Sequence, residues 1–412
     1  MRIILYEDRH WRRLRPLTDL LPVHALRFGA SDLTARWLAS SGATLASIEA
    51  RADAMSGWAE APAVDRTPLS DSEVVLVVNV AAMPGPWFDE ARSGLSPALW
   101  VAEGRVVGAQ VEVARIRAGL GRGEDFETVL LSAGLPALSV EARVLDWPWQ
   151  LFEWNAAAIA ADLSARVPQH NGRVHASAVL EGASEILIEE DAMIGAHAVL
   201  DSSGGPILVG RGARIAPHTV VQGPCVIGAG TQLLGGFVSQ STFGPQCRVA
   251  GEVEACVWQG YGNKRHHGFV GHSVFGEWVN LGALTTTSDL KNNYGEVRLR
   301  IDGAEVGSGS SKVGSIVGSH VKTGIGTLLP TGAVVGVAAN LFGGGRFAPK
   351  HTPAFAWWDG DRSETHEIDK CVATARTAMA RRDRTLQAGE EAALRRLFDS
   401  TAAERMPMTR VG

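Results

Sequence analysis

Lysine is scarce in this sequence of 412 residues. Only six of its 39 basic residues are lysine, and the first of them is Lys264. Chemistry that needs a side-chain amino group is therefore excluded from residues 1–263. Cysteine is rare as well, because the chain has four cysteines and no two of them form a CxxC pair. We interpret them as reduced, buried thiols of a cytoplasmic protein.

Long apolar runs are also missing. No window approaches the roughly 18 uninterrupted apolar residues of a membrane span, so we predict none. The first residues (MRIILYEDRHWRR) become charged after a short apolar burst, so we expect no signal peptide. The formal net charge of −5 provides no general attraction to nucleic acid or to an anionic membrane, and we expect neither as a partner.

Predicted strands and helices alternate over residues 1–166. The predicted elements are strands at residues 2–8 and 73–80, a hairpin at residues 99–111, and helices at residues 31–41 and 152–165. Such alternation favours an α/β domain of the Rossmann-like type. The polar stretch at residues 167–173 (VPQHNGR) is the expected linker to the next domain.

A repeat with a period of six residues begins after this linker. Its repeating positions are Ile188, Ile194, Leu200, Val209, Ile215, Val221, Ile227, Leu233, Phe275, Leu281, Val317, Thr323, Leu329, Val335 and Leu341. An amphipathic helix repeats near 3.6 residues and a strand near 2, so neither explains this period. A left-handed parallel β-helix explains it, because three six-residue edges close one triangular coil and each edge directs one side chain inward.

We predict this hexapeptide-repeat β-helix over residues 174–345. The remaining residues, 346–412, break the period and contain a charged, alanine-rich stretch with helical spacing. We predict that they form a cap followed by C-terminal helices. An uncovered end coil would expose unpaired strand edges, so these helices are expected to pack on the end of the β-helix.

Two segments resemble enzymes of sugar-nucleotide biosynthesis. Residues 13–22 (RLRPLTDLLP) resemble the signature of sugar-phosphate nucleotidyltransferases. Residues 264–285 (KRHHGFVGHSVFGEWVNLGALT) resemble the acetyltransferase segment of the bifunctional GlmU-type enzyme. The resemblance implies a nucleotidyltransferase-type domain followed by an acyltransferase domain, with acetyl-CoA as the acyl donor and a homotrimer as the assembly. It also implies that the acceptor is an amino sugar phosphate or a nucleotide amino sugar.

The second segment implies the residues of an acetyltransferase site. His266, which precedes Asn280 by fourteen residues, takes the position of the general base. Histidine suits that role near neutral pH, because it can take the proton of the attacking group. Lys264 and Arg265 beside it are expected to hold a phosphate. Asn280 matches an acceptor-site asparagine, and Ala283 matches a backbone contact with acyl-CoA.

Further candidate residues come later in the repeat. Lys322 is expected to face a cleft that a neighbouring subunit completes. Leu281 and Val317 are 36 residues apart where the resembled segment uses about one coil, so residues 286–316 are either an added coil or a projecting loop. Within this surplus, Asn293 and Tyr294 are expected to belong to an acceptor pocket, which typically combines aromatic and polar groups.

The first domain departs from the nucleotidyltransferase pattern. Residues 7–12 (EDRHWR) contain no glycine where the family has a glycine-rich phosphate turn, and Val23 replaces a lysine. The metal-binding aspartate of the family corresponds to Asn79 or Val80. Arg13 matches the family arginine and is the candidate for substrate binding. Phosphoryl transfer needs cations, so we expect a degenerate or binding-only domain, with Mg²⁺ only if the domain is active.

Three other functions remain open from the sequence. The first domain could be an active sugar-1-phosphate nucleotidyltransferase, or the whole chain a non-catalytic trimeric scaffold that binds sugar nucleotides. The third function is a zinc hydratase similar to γ-class carbonic anhydrase, which needs three histidines converging on one metal. The histidines considered for it are His266, His267, His272 and His320. We assign no metal ligands on this evidence of spacing alone.

Overall fold

The computed structural model describes residues 1–58, 62–94 and 96–405. They divide into two compact units. The smaller unit comprises residues 1–12, 21–26 and 32–146, and the larger unit comprises residues 13–20, 27–31 and those from 147 onward. The predicted helix at residues 152–165 therefore packs with the larger unit. The domain limits near residues 166 and 345 stay a prediction.

The chain up to residue 139 supplies the sheet and helices of the smaller unit and two short strands. Its described strands are β1 (Arg2–Tyr6), β2 (Arg27–Phe28), β3 (Ser31–Asp32), β4 (Thr44–Glu49), β5 (Val74–Asn79), β6 (Ala98–Ala102), β7 (Arg105–Glu112) and β8 (Ala137–Ser139). Its described helices are α1 (Leu33–Ser41), α2 (Ala52–Gly57), α3 (Pro86–Ser93), α4 (Val113–Leu120) and α5 (Phe126–Ser132).

The sheet of the smaller unit has the strand order β4-β1-β5-β7-β6-β8. Strand β1 runs parallel to β4 and β5, whereas β7 runs antiparallel to β5 and β6. The central strands are almost entirely aliphatic because both faces of the sheet are covered. The predicted hairpin turns at Glu103 and Gly104, both with positive φ. The predicted α/β fold is confirmed.

The larger unit is built mainly of short strands. They are β9 (Arg173–Val174), β10 (Val179–Glu181), β11 (Ile186–Ile188), β12 (Met193–Ile194), β13 (Val199–Asp201), β14 (Ile207–Val209), β15 (Arg214–Ile215), β16 (Thr219–Gln222), β17 (Cys225–Ile227), β18 (Gln232–Ser239), β19 (Thr242–Phe243), β20 (Arg248–Glu254), β21 (Val257–Trp258), β22 (Asn263–Lys264), β23 (Phe269–Gly271), β24 (Val274–Phe275), β25 (Thr286–Thr287), β26 (Arg298–Ile301), β27 (Ala304–Gly307), β28 (Ser315–Val317), β29 (Lys322–Thr323), β30 (Leu328–Leu329), β31 (Ala333–Val335), β32 (Asn340–Leu341), β33 (His351–Thr352), β34 (Ala356–Trp358) and β35 (Ser363–Thr365). Its helices are α6 (Gln150–Glu153), α7 (Asn155–Leu163), α8 (Ile368–Ala380) and α9 (Ala388–Ser400).

These strands form the predicted left-handed β-helix. Strands at the same edge of successive coils pair in parallel, as in the ladder β11-β14-β17-β19-β21-β24-β28-β31-β33. All of the repeating positions predicted from the six-residue period are buried. They stack inside the coils, where Ile188, Val209 and Ile227 lie in register. The period of six therefore arises because each edge buries one side chain.

The surplus at residues 286–316 contains a projecting excursion and is not an added coil. Its two ends, β25 and β28, pair with strands of the coils, and the excursion lies between them. Strand β24 pairs directly with β28, with Phe275 opposite Val317, so the ladder skips the surplus. Strands β26 and β27 pair with each other as an antiparallel hairpin. The hairpin turns at Asp302 and Gly303, whose φ values are 46° and 82°.

Helices α8 and α9 pack on the last coils. The ladder continues past the predicted end at residue 345, because β33 pairs with β31 and β34 pairs with β32. Cys371 and Ala375 of α8 join Leu394 of α9 and Phe355 of the final coil in one apolar cluster. The Cys371 thiol also lies 2.8 Å from Nδ1 of His366, just before α8. All four cysteines are buried and unpaired, as predicted.

Among the described residues, we find no helix that is long and apolar enough to cross a membrane.

Candidate functional site

A cleft of about 590 Å³ lies between the β-helix and helix α8. Its floor is a column of outward side chains, one from each of four successive coils. These are Arg248, Asn263, Asn280 and Lys322, which parallel pairing places directly opposite one another. Because paired strands are about 4.8 Å apart, the column presents a polar group at each step along the cleft.

The opposite wall is α8 of the same chain. The wall is formed by Ala373, Thr374, Thr377 and Ala378 of α8 and by Arg381 and Arg382 directly after it. The first four of them are small, so the helix leaves space above the floor. The sequence led us to expect this wall from a neighbouring subunit, whereas the structure supplies one within the chain.

His266 and Arg265 line the cleft from the turn after β22. Both side chains are exposed. On the floor beside them, the Asn263 side-chain amide donates to Oδ1 of Asn280 at 2.7 Å, which orients the Asn280 side chain. The cleft therefore combines a histidine, an oriented amide and a cation, which can serve as a base, a hydroxyl contact and an anion contact.

Lys264 does not line the cleft. Its side chain points inward and is 1% exposed, and Nζ donates to the carbonyl oxygens of Ala250 and His266 at 2.9 Å each. Burial lowers the pKa of Lys264 to about 8. The amine therefore holds the turn that carries His266, and this placement favours a structural role over the predicted phosphate contact.

Lys322 lines the cleft with its amine turned toward the β-helix. Nζ donates to the carbonyl oxygens of Trp278 at 2.9 Å and His320 at 3.0 Å. Burial lowers the pKa of Lys322 to about 8. The amine of Lys322 therefore lies at the floor of the cleft, beneath the space that a ligand would fill.

An aromatic column closes one end of the cleft. Tyr261 and Trp278 stack with ring centroids 4.1 Å apart, and His320 follows at 6.4 Å from Trp278. All three occupy the same corner of successive coils with positive φ, between 55° and 62°. Such backbone is uncommon for side chains of this size, so the stacking and the packing of Met379 against it hold the corner in place.

The charge of the cleft is one-sided. Among the described residues that line it, four are arginine and none is aspartate or glutamate. The arginines are Arg248, Arg265, Arg381 and Arg382. Burial lowers the pKa of Arg382, and repulsion from the other three arginines lowers it further. Only Arg265 among these four was predicted from the sequence, although the run RRDR at residues 381–384 was a visible signal.

Other predicted site residues lie outside this cleft. Tyr294 is 74% exposed on the projecting excursion, and Oδ1 of the neighbouring Asn293 accepts a bond from the Gly295 N–H at 3.1 Å. Ala283 lies in a turn and is not a lining residue, and its carbonyl accepts from Gly326 N–H at 2.8 Å. The structure therefore brings together His266, Arg265, Asn280 and Lys322, and not these three.

Arg13, the predicted substrate ligand of the first domain, packs with the larger unit. Its guanidinium lies 5.6 Å from the centroid of the Trp147 ring. A cation over an aromatic face is a common structural contact, worth about 0.5–1 kcal/mol at exposed sites. The substrate role of Arg13 stays a prediction.

The histidines considered for a zinc site lie in different environments. Nδ1 of His272 bonds Oδ2 of Asp289 at 2.7 Å, whereas His266 faces the cleft and His320 belongs to the aromatic column. Within the described ranges, no group of three or more His, Cys, Asp or Glu side chains is arranged to hold a metal ion. The donor set that a zinc hydratase needs is not assembled by these residues.

In the smaller unit, the carboxylate of Asp8 is already engaged. Oδ2 accepts from Arg105 Nε at 2.5 Å and from Asn79 Nδ2 at 2.7 Å, and Oδ1 accepts from the His10 N–H. Arg105 also pairs with Asp146 at 2.6 Å. Although burial acts to raise it, the ion pair with Arg105 holds the pKa of Asp8 below its ordinary value.

These contacts do not fit Mg²⁺. A guanidinium and an amide fill the positions around Asp8 where a cation would need open oxygen ligands. Nearby, the Glu7 carboxylate accepts the Val23 N–H at 2.7 Å, so backbone donors of this segment serve the protein itself. We therefore derive no step through a metal ion in this unit.

The chain is similar to several known proteins. Residues 3–169 match the family model described as sugar nucleotidyl transferase. A bifunctional sugar-1-phosphate nucleotidylyltransferase/acetyltransferase of Sulfurisphaera tokodaii is 27% identical over 200 residues, 48% of this chain and 44% of that protein. The bifunctional protein GlmU of Methanococcus vannielii is 30% identical over 128 residues, 31% of this chain and 26% of that protein.

These matches span less than half the length of either relative. Among solved structures, LpxA from Acinetobacter baumannii aligns over 51% of this chain and 77% of its own, with 14% identity and a TM-score of 0.29. The resemblance to GlmU-like proteins that the sequence indicated is confirmed.

Proposed function

We propose that this chain, whose residues 3–169 match the family model of sugar nucleotidyl transferases, is an acetyltransferase of sugar-nucleotide biosynthesis. The donor is acetyl-CoA, and the acceptor is the amino group of an amino sugar phosphate or a nucleotide amino sugar. The observation that carries the proposal is the convergence of His266, Asn280 and Lys322 on one cleft. The word acetyltransferase in the name of the bifunctional relative supports it.

In the proposed reaction, the acceptor nitrogen attacks the carbonyl carbon of the thioester. The C–N bond forms, the C–S bond breaks, and coenzyme A leaves as the thiolate. His266 takes the proton from the nitrogen as attack proceeds, and this proton then passes to the thiolate. Proton transfer by a positioned side chain contributes about 10²–10⁴-fold to the rate.

The remaining residues of the cleft position the acceptor. We assign Asn280 to a sugar hydroxyl and Arg265 to a phosphate, and this assignment is supported by their both lining the cleft. Lys264 acts at a distance, because its two hydrogen bonds order the turn that carries His266. Ala283 remains our proposed backbone contact for acyl-CoA, and the proposed assembly is a cytoplasmic homotrimer.

The test is replacement of His266. His266→Ala should lower kcat for acetyl transfer by about 10²–10⁴-fold. The melting temperature and acetyl-CoA binding should stay unchanged, because the side chain is exposed and its ring makes no hydrogen bond within the described part of the chain. Acetyl-CoA consumption would be measured with amino sugar phosphates and with nucleotide amino sugars.

His267→Ala is the matched control. His267 is the neighbouring exposed histidine and is not a lining residue of the cleft, so its loss should have a small effect. Full turnover by His266→Ala, on a substrate that the wild type acetylates, would refute the assignment of the base.

A further inference from the structure

The arginine cluster of the cleft comes from separate elements. Arg248 begins β20, Arg265 follows β22, and Arg381 and Arg382 directly follow α8. All four line one cleft, with no aspartate or glutamate among the described lining residues. They also make no ion pair with any carboxylate in the described ranges. Four cations from three places in the chain thus line one cleft without a counter-charge from the described residues.

Two other arginines that are largely shielded from solvent have acidic partners. Arg51 pairs with Glu7 at 2.9 Å, and Arg15 pairs with Asp19 at 2.6 Å. Arg382 in the cleft forms no ion pair with a carboxylate among the described residues, and its buried Nε has no hydrogen-bond partner there. Buried donors without partners are rare because they cost free energy, so an unpaired guanidinium points to a ligand that completes it.

Helix geometry explains only part of the cluster. Cations at a helix C-terminus are favourable because the exposed carbonyl groups there carry partial negative charge. That effect accounts for Arg381 and Arg382 directly after α8, but Arg248 and Arg265 come from the β-helix. An anion bound in the cleft would explain why the arginines of the β-helix and those after α8 line the same cleft.

We propose that this cluster binds the diphosphate of a nucleotide, so that the acceptor of the proposed acetyl transfer is a nucleotide diphosphate amino sugar and not a sugar monophosphate. This inference rests on the proposed function and selects between its two acceptor classes. Guanidinium groups bind phosphate oxygens in pairs, so one or two of them satisfy a single phosphate. Four guanidinium groups on two walls match two linked phosphates.

The size and position of the cleft agree with this acceptor. Its volume of about 590 Å³ is within the range of sites for small molecules. Arg265 is next to His266 in sequence, and both line the cleft, so a diphosphate on the cluster would bring an attached sugar near the base. Coenzyme A also contains a pyrophosphate, so the same chemistry has a second source that the experiment must separate.

The test measures binding without turnover. Isothermal titration calorimetry on the full chain would compare UDP, dTDP and GDP with UMP, inorganic pyrophosphate, glucosamine 1-phosphate and coenzyme A. We expect at least one nucleoside diphosphate to bind about 100-fold more tightly than UMP or glucosamine 1-phosphate, since each charged hydrogen bond added is worth about tenfold or more. Equal affinity for mono- and diphosphates would overturn the proposal.

The variant is the pair Arg381→Gln and Arg382→Gln, with Arg376→Gln as the matched control. Arg376 is on the same helix but is paired with Glu391 and is not a lining residue. The double variant should lose about 30-fold or more in affinity for the preferred nucleoside diphosphate, while the control stays within about threefold. An equal loss in the control would overturn the proposal, because the effect would then be one of overall charge.

The binding experiments also distinguish a nucleoside diphosphate from coenzyme A as the ligand of the cluster, and they distinguish this inference from the proposed function. Loss of coenzyme A binding in the double variant, with nucleoside diphosphate binding intact, would assign the cluster to the acyl donor and overturn the inference. Conversely, specific diphosphate binding in a protein whose acetyl transfer does not depend on His266 would support the inference and refute only the proposed base. Thermal melts of every variant confirm that the protein is folded.

Discussion

Lys264 allows a test that distinguishes a structural lysine from a phosphate ligand. The perturbation is Lys264→Met, which keeps the apolar stem and removes the amine. The amine is the donor to the carbonyl oxygens of Ala250 and His266, and each buried acceptor left unpaired costs about 1–3 kcal/mol. Removal of the buried charge also removes its desolvation penalty, which offsets part of this loss of stability. We expect a net loss of about 1–3 kcal/mol in the free energy of unfolding at pH 7.

The lowered pKa of Lys264 also predicts how the loss of stability in Lys264→Met changes with pH. The pKa of Lys264 is lowered from 10.5 to about 8 in the folded protein. Between these values the unfolded chain binds more protons than the folded one, so the lysine contributes stability that rises with pH. From pH 7 to pH 9 the gain is about 1 kcal/mol, at 1.36 kcal/mol per unit. The variant lacks this gain, so its deficit relative to wild type should widen by that amount.

Urea unfolding at pH 7, 8 and 9 measures the deficit. Lys322, with a similarly lowered pKa, is present in both proteins and cancels in the difference. Lys370→Met is the control, because the Lys370 side chain is exposed and pairs only with an exposed glutamate. If Lys264→Met keeps wild-type stability at every pH while KM for the acceptor rises tenfold or more, Lys264 is a phosphate ligand and the structural reasoning is wrong.

Two further predictions concern the first domain and the assembly. Pyrophosphate release from UTP or dTTP with Mg²⁺ and sugar 1-phosphates should be undetectable, because Arg105 and Asn79 occupy the carboxylate of Asp8; robust release that disappears in Arg13→Ala would restore an active nucleotidyltransferase. Light scattering should report a homotrimer, and a stable monomer at micromolar concentration would contradict that expectation.

The β-helix could be predicted because its rule is local. Each edge of a coil buries one side chain and exposes its neighbours, so the pattern repeats within a few residues of sequence. The same rule separates Asn263 from Lys264, since adjacent strand residues point to opposite faces and only the first reaches the cleft. For Lys264 the predicted phosphate contact came from the resemblance and not from this rule.

The conformation of the projecting excursion could not be predicted from local sequence patterns. An added coil and a loop were both consistent with the composition of residues 286–316. The pairing of Phe275 with Val317 decides between them, and a contact across this surplus cannot be deduced from either segment alone. Asn293 and Tyr294 therefore project from the excursion and not into the cleft.

The sequence by itself determined the coils and their buried columns, because side-chain direction in a regular repeat follows from position. Only the tertiary structure decided that one outward column became the floor of a cleft. Helix α8 covers that column because Cys371 and Ala375 pack on Phe355 while Met379 packs on the aromatic corner. These contacts join residues far apart in the chain, so the meeting of Arg381 and Arg382 with Arg248 is a consequence of docking and not of any local pattern.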